Sequence, residues 1–441
     1  MSSREEQTVT ANRPAGAARE DGGVGLPSTN STKSYWLKDP SPVLSGHRTT
    51  EELPQRSSTK GGSVVMLEAR EACSGATGRN SGHCQPIICQ PSSPIGDFEL
   101  ATFHFLKRFI REHKIPCDWH AASLWPYKLV AWVLEHLLSK FAESGKFNLQ
   151  KNTPVTSVHP SQEVVSSNNN EQKKKWVVGM PLGEIIARQV LLVTNGYTAH
   201  LLPKFGDLIV PVKGQIGALL APSSPRADGG AVKLDHSYVF LAAANDKLAS
   251  GGGNRNSRDD CLAQRPYYSS DGEERKGGGG GGGELIFDGG RDFADKFGVG
   301  EWRDDSLEEP VAQYLGSSLC PPLDLTSSFP GWTGIMGYSR DQHAWVGSVP
   351  EIVGGGGKDG GLYVCAGYSG RGMPAAALSA REVVKQMIGG EDKMELPKGY
   401  RLTKELVRIA DPLQTSKETF KQLVADVEQK ILTDPISEGG K

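Results

Sequence analysis

The residue types best suited to chemistry gather in one stretch, LYVCAGYSGRGMPAAALSAREVVKQMI (Leu362–Ile388). An apolar strand (LYVCA) runs into GYSGRG, and a helix is expected from about Pro374, whose fixed φ suits a first helical turn. Gly367, Gly370 and Gly372 allow positive φ and let a ligand touch the backbone. The unpaired N–H groups and positive dipole end of the helix then face whatever lies above the turn, which suits a phosphate or an electron-rich heterocycle. A tight strand-to-helix connection with no ligand has the same spacing. Gly370, Gly372 and Ala375 also spell G-x-G-x-x-A. No second parallel strand follows, and no acidic strand end lies about 20 positions on, so a dinucleotide fingerprint is excluded.

A second feature is VVMLEAR, a short apolar run that reads as a buried strand ending at Glu68. Doubly wound folds grip a ribose hydroxyl pair with an acidic residue so placed, although a solvated strand end has the same look. Downstream, Arg79, Asn80 and Gly82 sit in a small-residue loop able to approach a flat ring, or simply polar as loops are. Hydrolase, P-loop and zincin chemistries are excluded, because no G-x-S-x-G, G-x-x-x-x-G-K-[ST] or H-E-x-x-H occurs. Cys84 and Cys89 form a C-x4-C spacing with His83 adjacent, but no second ligand pair follows and no metal is expected.

The elements that must position these residues are legible from periodicity. Helices are expected at Phe98–His113 and Leu129–Phe141. Strands are expected at Val155–Val158, Lys175–Val178, Glu184–Val193, Val212–Leu220 and within Glu284–Arg291, with a strand–turn–strand at Gly331–Gly347. Tyr35, Trp36, Leu37 and Leu44 read as a strap across a core. Residues 1–33 and 222–283, the latter with seven consecutive glycines, read as disordered, and a polar helix is expected at Thr415–Leu432. A net charge of −2 with mixed signs points to neither nucleic acid nor an anionic membrane. The seven scattered cysteines, the polar N-terminus and the absence of a peroxisomal tripeptide lead to a cytoplasmic expectation.

Taken together and in this order, VVMLEARE, SGATGRNSGHCQP, LWPYKLV, NTPVTSV, ARQVLLVTNGYT, IVPVKGQ, GWTGIMGYSRD and CAGYSGRGMP resemble the D-amino-acid-oxidase-type FAD-dependent oxidoreductases. The likeness runs from about Ser34 to Ile388 and is greatest to a fungal branch of unassigned substrate. It implies an α/β (α+β) fold, a doubly wound FAD-binding domain interleaved with an antiparallel substrate-domain sheet. It also implies oxidation of a C–N bond of a small amino acid or amine to an imine, with O2 as acceptor. By resemblance, Glu68 binds the adenosine ribose with Arg70 beside it, and Arg79, Asn80, Ser81 and Gly82 line the flavin ring edge. Val155 or Val158 meets the adenine, and Thr194, Asn195 and Gly196 close on the pyrophosphate. Gly367, Gly370, Gly372 and Met373 aim a helix dipole at the flavin, and Asp341 and Trp345 belong to the turn entering that site. His83 and Cys84 are candidates for covalent flavin attachment. Arg291 is the candidate partner of a substrate carboxylate, with a solvent-exposed strand end as the alternative.

The chain departs from the family in one important place. ELPQRSSTKGG leads straight into VVMLEAR, so the strand, G-x-G-x-x-G turn and helix that normally precede the acidic strand, roughly 25 residues, are expected to be missing. A second shortening is expected between CDWH and AASLWPYKLV. The FAD-binding domain is therefore assigned to 34–210 and 331–390 with its first unit absent. The substrate domain is assigned to 98–150 and 211–330 with the insertion 222–283, and a polar helical tail to 391–441. Two functions compete: an FAD-dependent oxidase that this form is poorly equipped to run, and a non-catalytic remnant acting as a binding module without FAD. A nicotinamide-dependent dehydrogenase ranks below both.

Overall fold

The computed structural model describes residues 23–49, 62–86, 93–120, 122–161, 176–220, 234, 236–241, 259–266, 283–319, 326–356, 360–389 and 395–410. Four sheets organise them. Strand β1 (Val64–Leu67) pairs in parallel with β2 (Phe147–Gln150). A meander is formed by β3 (Ser157–Pro160), β4 (Trp176–Met180) and β5 (Gly183–Ala187). Strand β6 (Val190–Leu192) belongs to a third sheet, considered with its partners below. A five-stranded antiparallel sheet has the order β11-β7-β10-β9-β8, from β7 (Ile209–Leu220), β8 (Tyr238–Leu241), β9 (Asp259–Gln264), β10 (Leu285–Asp288) and β11 (Thr326–Ser339). The third sheet runs β12 (Trp345–Ser348), β13 (Leu362–Ala366), β6, with β13 antiparallel to β12 and parallel to β6.

The strand LYVCA is apolar throughout because both its faces are covered. Leu362, Val364 and Ala366 enter a core with Trp176, Phe205 and Trp345, while Tyr363 and Cys365 pack toward α4 (Ala376–Gly389) and α1 (Pro94–Glu112). Helix α1 starts where Ser93 caps the chain and Pro94 occupies the first turn. Helix α2 (Pro126–Lys140) likewise opens on proline and covers β2. The aromatic strap is seated as expected: Tyr35, Trp36 and Leu44 are buried against Trp125, Tyr127 and Trp332.

Several expected elements take a different form. The run Glu184–Val193 is two strands, β5 and β6, because its halves serve different sheets. Likewise Gly331–Gly347 contributes to β11 and β12, which do not pair with each other. Part of the segment 222–283, expected as a disordered insertion, folds: YVFL and DDCLAQ become β8 and β9, which extend the large sheet from β10. Residues 24–33, placed in a disordered tail, lie on the body, with Val24 and Ser28 buried. Tyr400, Leu402 and Val407, from the expected polar tail, are also buried, while the helix at 415–432 lies outside the described residues. Across the junction after CDWH, His120 and Ser123 exchange two backbone bonds of 2.9 and 2.7 Å. Among the described residues no helix is long and apolar enough to cross a membrane.

One buried ion cluster ties four segments together. The Asp304 carboxylate, 1% exposed, meets Arg70 at 2.9 Å and Arg79 at 3.3 Å. The backbone carbonyl of Asp304 accepts from Thr32 and Thr333. Removing the carboxylate leaves two buried guanidinium groups without a counter-charge. We therefore expect Asp304→Ala to lower unfolding free energy by about 3–5 kcal/mol in urea titrations.

Candidate functional site

A single cavity of about 3460 Å³ connects the Glu68 strand end with the glycine corner after β13. That exceeds the roughly 300–1,000 Å³ of an ordinary small-molecule site several-fold, so it has room for more than a small substrate. Its lining includes Glu68, Val155, Val158, Asn195, Arg291, Tyr338, Gly370, Gly372 and Met373.

At one end, Glu68 closes β1. Its N–H donates to Gln150 (2.9 Å), and its Oε1 accepts from the Arg70 N–H at 3.0 Å. Burial raises its carboxyl above the ordinary value of 4.5, against lowering by Arg70. The following loop presents backbone rather than charge to the cavity. Arg79 spends its guanidinium on Ser74, Ser31, Thr32 and Thr333, and Arg70 donates to Ser28, Ser74 and Asp304. Asn80 folds its side chain back: Oδ1 accepts from the Gly82 N–H at 2.7 Å and Nδ2 donates to Thr77. Gly82 has φ 81°, and a Cβ there would stand 2.7 Å from the Leu124 carbonyl oxygen. Ser81 Oγ lies 3.0 Å from His83 Nδ1.

At the other end, β13 breaks at Gly367 (φ 70°), Ser369 (φ 49°) and Gly370 (φ 82°). Asn195 stitches this corner to the end of β6: its Oδ1 accepts from the N–H of Gly367 at 3.0 Å and of Tyr368 at 3.4 Å. Gly196 packs so tightly that a Cβ would meet the Met336 carbonyl oxygen at 2.7 Å. Ser369 donates its N–H to Gly337, whereas the N–H groups of Gly370, Gly372 and Met373 find no partner among the described residues. Asp341 braces the corner from behind, accepting from Ser339 Oγ, the His343 N–H and Trp345 Nε1. A fully buried carboxylate, Glu99 on α1, holds Arg371 through Nε at 3.0 Å. The helix itself starts at Ala376, two residues after the expected Pro374.

Sequence reasoning placed Arg291 on a strand; it lies beyond β10, after Gly289 and Gly290 turn the chain with φ 144° and 66°. Its guanidinium carbon sits 5.5 Å from the centre of the Tyr338 ring. A Cβ on Gly370 would lie 3.1 Å from the Tyr338 hydroxyl. Tyr338 therefore links Arg291 to the glycine corner. Sequence reasoning missed it, although it stands inside the quoted motif GWTGIMGYSRD. Gly82, Cys84, Gly196, Gly367 and Trp345 do not line the cavity. Cys84 is fully buried with its thiol pushed up to about 12, chiefly by burial.

The two ends suit FAD, with a carboxylate for a ribose at one and unpartnered amides before a helix for a ring at the other. The middle does not match as well. Among the described residues β1 pairs only with β2, and β6 only with β13, so each leaves an edge that no described strand covers, and both strands line the cavity. Apolar groups are exposed along this gap: Val64 at 61%, Val193 at 62% and Ile388 at 84%. Among the described residues no glycine-bearing strand-to-helix turn lies between them to cradle a pyrophosphate.

Comparisons with known proteins bear on the family and the fold. The family model described as FAD dependent oxidoreductase (DAO) matches residues 52–144 and 124–386, so the chain belongs to that family of FAD-dependent oxidoreductases. Among solved structures, glycine oxidase from Geobacillus kaustophilus is similar at 16% identity and TM-score 0.50, over 77% of this chain and 91% of that one. L-proline dehydrogenase from P. horikoshii is similar at 15% identity and TM-score 0.48, over 76% and 88%. The first of these likenesses concerns the fold alone. No curated protein sequence matches.

Because burial raises the Glu68 carboxyl, its ionisation costs the folded state free energy. That cost is absent below the ordinary carboxyl value and grows as pH rises through the raised one. Glu68→Gln is therefore expected to raise Tm at neutral pH, with the gain vanishing in acid. Melting curves across pH check this, and a gain independent of pH contradicts it.

Proposed function

We propose that this chain descends from, and retains the active-site frame of, an FAD-dependent oxidase that converts a C–N bond of an amino acid or amine to an imine. The observation that carries the reading is the shared cavity, with Glu68 at one end and the Arg291–Tyr338–Gly370 group at the other. When bound, FAD supplies the two-electron acceptor for that oxidation, with O2 taking the electrons onward as hydrogen peroxide. Glu68 would accept from the ribose hydroxyls, and Val155 and Val158 would flank the adenine. The N–H groups of Gly370, Gly372 and Met373, with the start of α4, would stabilise negative charge on the ring system. Arg291 would hold a substrate carboxylate by paired hydrogen bonds, with the Tyr338 ring setting the direction of its guanidinium. Arg70, Arg79 and Asn80 act as positioning residues, since their side chains are committed to the loop they sit in. In this reading 34–210 with 331–390 forms the FAD-binding part and 98–150 with 211–330 the substrate part.

A second reading, a remnant that binds without oxidising, is favoured by the open edges of β1 and β6. A pyrophosphate held by few amides is bound weakly, so flavin is expected to be lost on purification. The test is to purify the full chain, record its visible flavin band, and then assay peroxide release from amino acids and secondary amines in excess FAD. The oxidase reading expects little flavin as isolated but turnover once FAD is supplied. It also expects Arg291→Met to raise KM for a carboxylate-bearing substrate by roughly 10- to 100-fold. No turnover at saturating FAD leaves the remnant reading.

A further inference from the structure

Three side chains of different ligand chemistry meet on the wall of the cavity, on the large sheet. Cys261 on β9 and Asp288 on β10 are directly opposed register partners, so both project from the same face of the sheet. His83 reaches them from the loop after the Arg79 turn. One ligand atom from each of the three lies within 4.8 Å of the others. All three residues line the cavity.

We propose that His83, Cys261 and Asp288 form a three-ligand site for a zinc-like divalent cation, with its fourth position open to the cavity. Imidazole nitrogen, thiolate sulfur and carboxylate oxygen are the donor types zinc takes, and three protein ligands with one open position is the pattern of a reactive rather than a closed structural site. Ligand atoms in a tetrahedral zinc site stand about 2.0–2.3 Å from the ion, so closing onto it requires shifts of roughly 1 Å. The sheet supplies two ligands at fixed separation. The His83 ring is already held against it, its Nε2–H donating to the Leu262 carbonyl at 3.2 Å and its Nδ1 at 3.0 Å from Ser81 Oγ. Binding exchanges one of these two hydrogen bonds for the ion, and the bond that remains fixes the ring, as outer-sphere partners do in metal sites. The ion would fasten the loop carrying Ser81 to the large sheet, and its open position would take a water or a ligand carboxylate from the cavity.

The test uses the full chain, freed of metal with a chelator and titrated with Co2+ and then Zn2+. We expect one equivalent of Co2+ to give the near-ultraviolet thiolate-to-cobalt charge-transfer band, and Zn2+ to displace it. Cys261→Ser is expected to abolish the band and Asp288→Asn to weaken Zn2+ binding by about tenfold or more. His83→Gln serves as a second ligand variant should Cys261→Ser fail to fold by circular dichroism. Cys117→Ser, altering a thiol buried in a different cluster, should keep the band. Absence of the band in the wild-type chain, or its persistence at full strength in a folded ligand variant, overturns the proposal.

Discussion

The interaction on which this structure leans most is the buried contact of Asp304 with Arg70 and Arg79. Two guanidinium groups around one carboxylate leave a surplus positive charge in the interior, which hydrogen bonds from the remaining donors help to offset. Arg79 does so fully, directing its five N–H groups to Ser74, Ser31, Thr32 and Thr333. The result is a knot joining the chain around Thr32, the loop after β1, the segment before α3 (Glu309–Ser317) and β11. It fixes where the loop from Glu68 to Gly82 runs, and hence one wall of the cavity.

The opposite wall is set by a neutral device. A single Asn195 side chain accepts from two corner amides, and glycines at 196, 334 and 337 let backbones approach where any Cβ would collide. The two walls are thus made by different means, one chiefly electrostatic and one chiefly steric, and they meet where Gly334 packs on the Arg79 backbone. Between them β1 and β6 turn open edges and exposed valines toward the same space. An unpaired parallel edge with apolar flanks is costly in water and invites pairing with other chains. The cavity is large because nothing in the described chain fills that gap.

Much of this was legible in the sequence. Strand LYVCA, the glycine corner and the helix after it announced themselves by a switch from continuous apolarity to glycine to a helical period, and α1 and α2 by theirs. Glu68 and the corner do share one cavity. Less legible were β8 and β9, because DDCLAQ has no alternating pattern of its own and becomes a strand through its partner β10. The run Glu184–Val193 concealed a change of sheet at Arg188 and Gln189, which strand propensity does not register. Arg70 drew attention beside the ribose carboxylate and Arg79 at the ring edge; their partner Asp304 is more than 200 positions away in sequence, beyond the reach of local pattern. Tyr338 escaped notice because a tyrosine on a strand carries no signal until the strand's neighbours are known.

In the proposed oxidase, Glu68 and the corner at Gly370 serve opposite ends of one FAD-shaped cleft. Competitive binding of FAD fragments measures it most directly, with ADP and riboflavin titrated separately into the full chain and FAD added as competitor. A single cleft requires that FAD displace both, that Glu68→Gln weaken ADP alone, and that Gly370→Val weaken riboflavin alone. If the two fragments bind without regard to FAD, or if both substitutions affect the same fragment, the two places do not belong to one site.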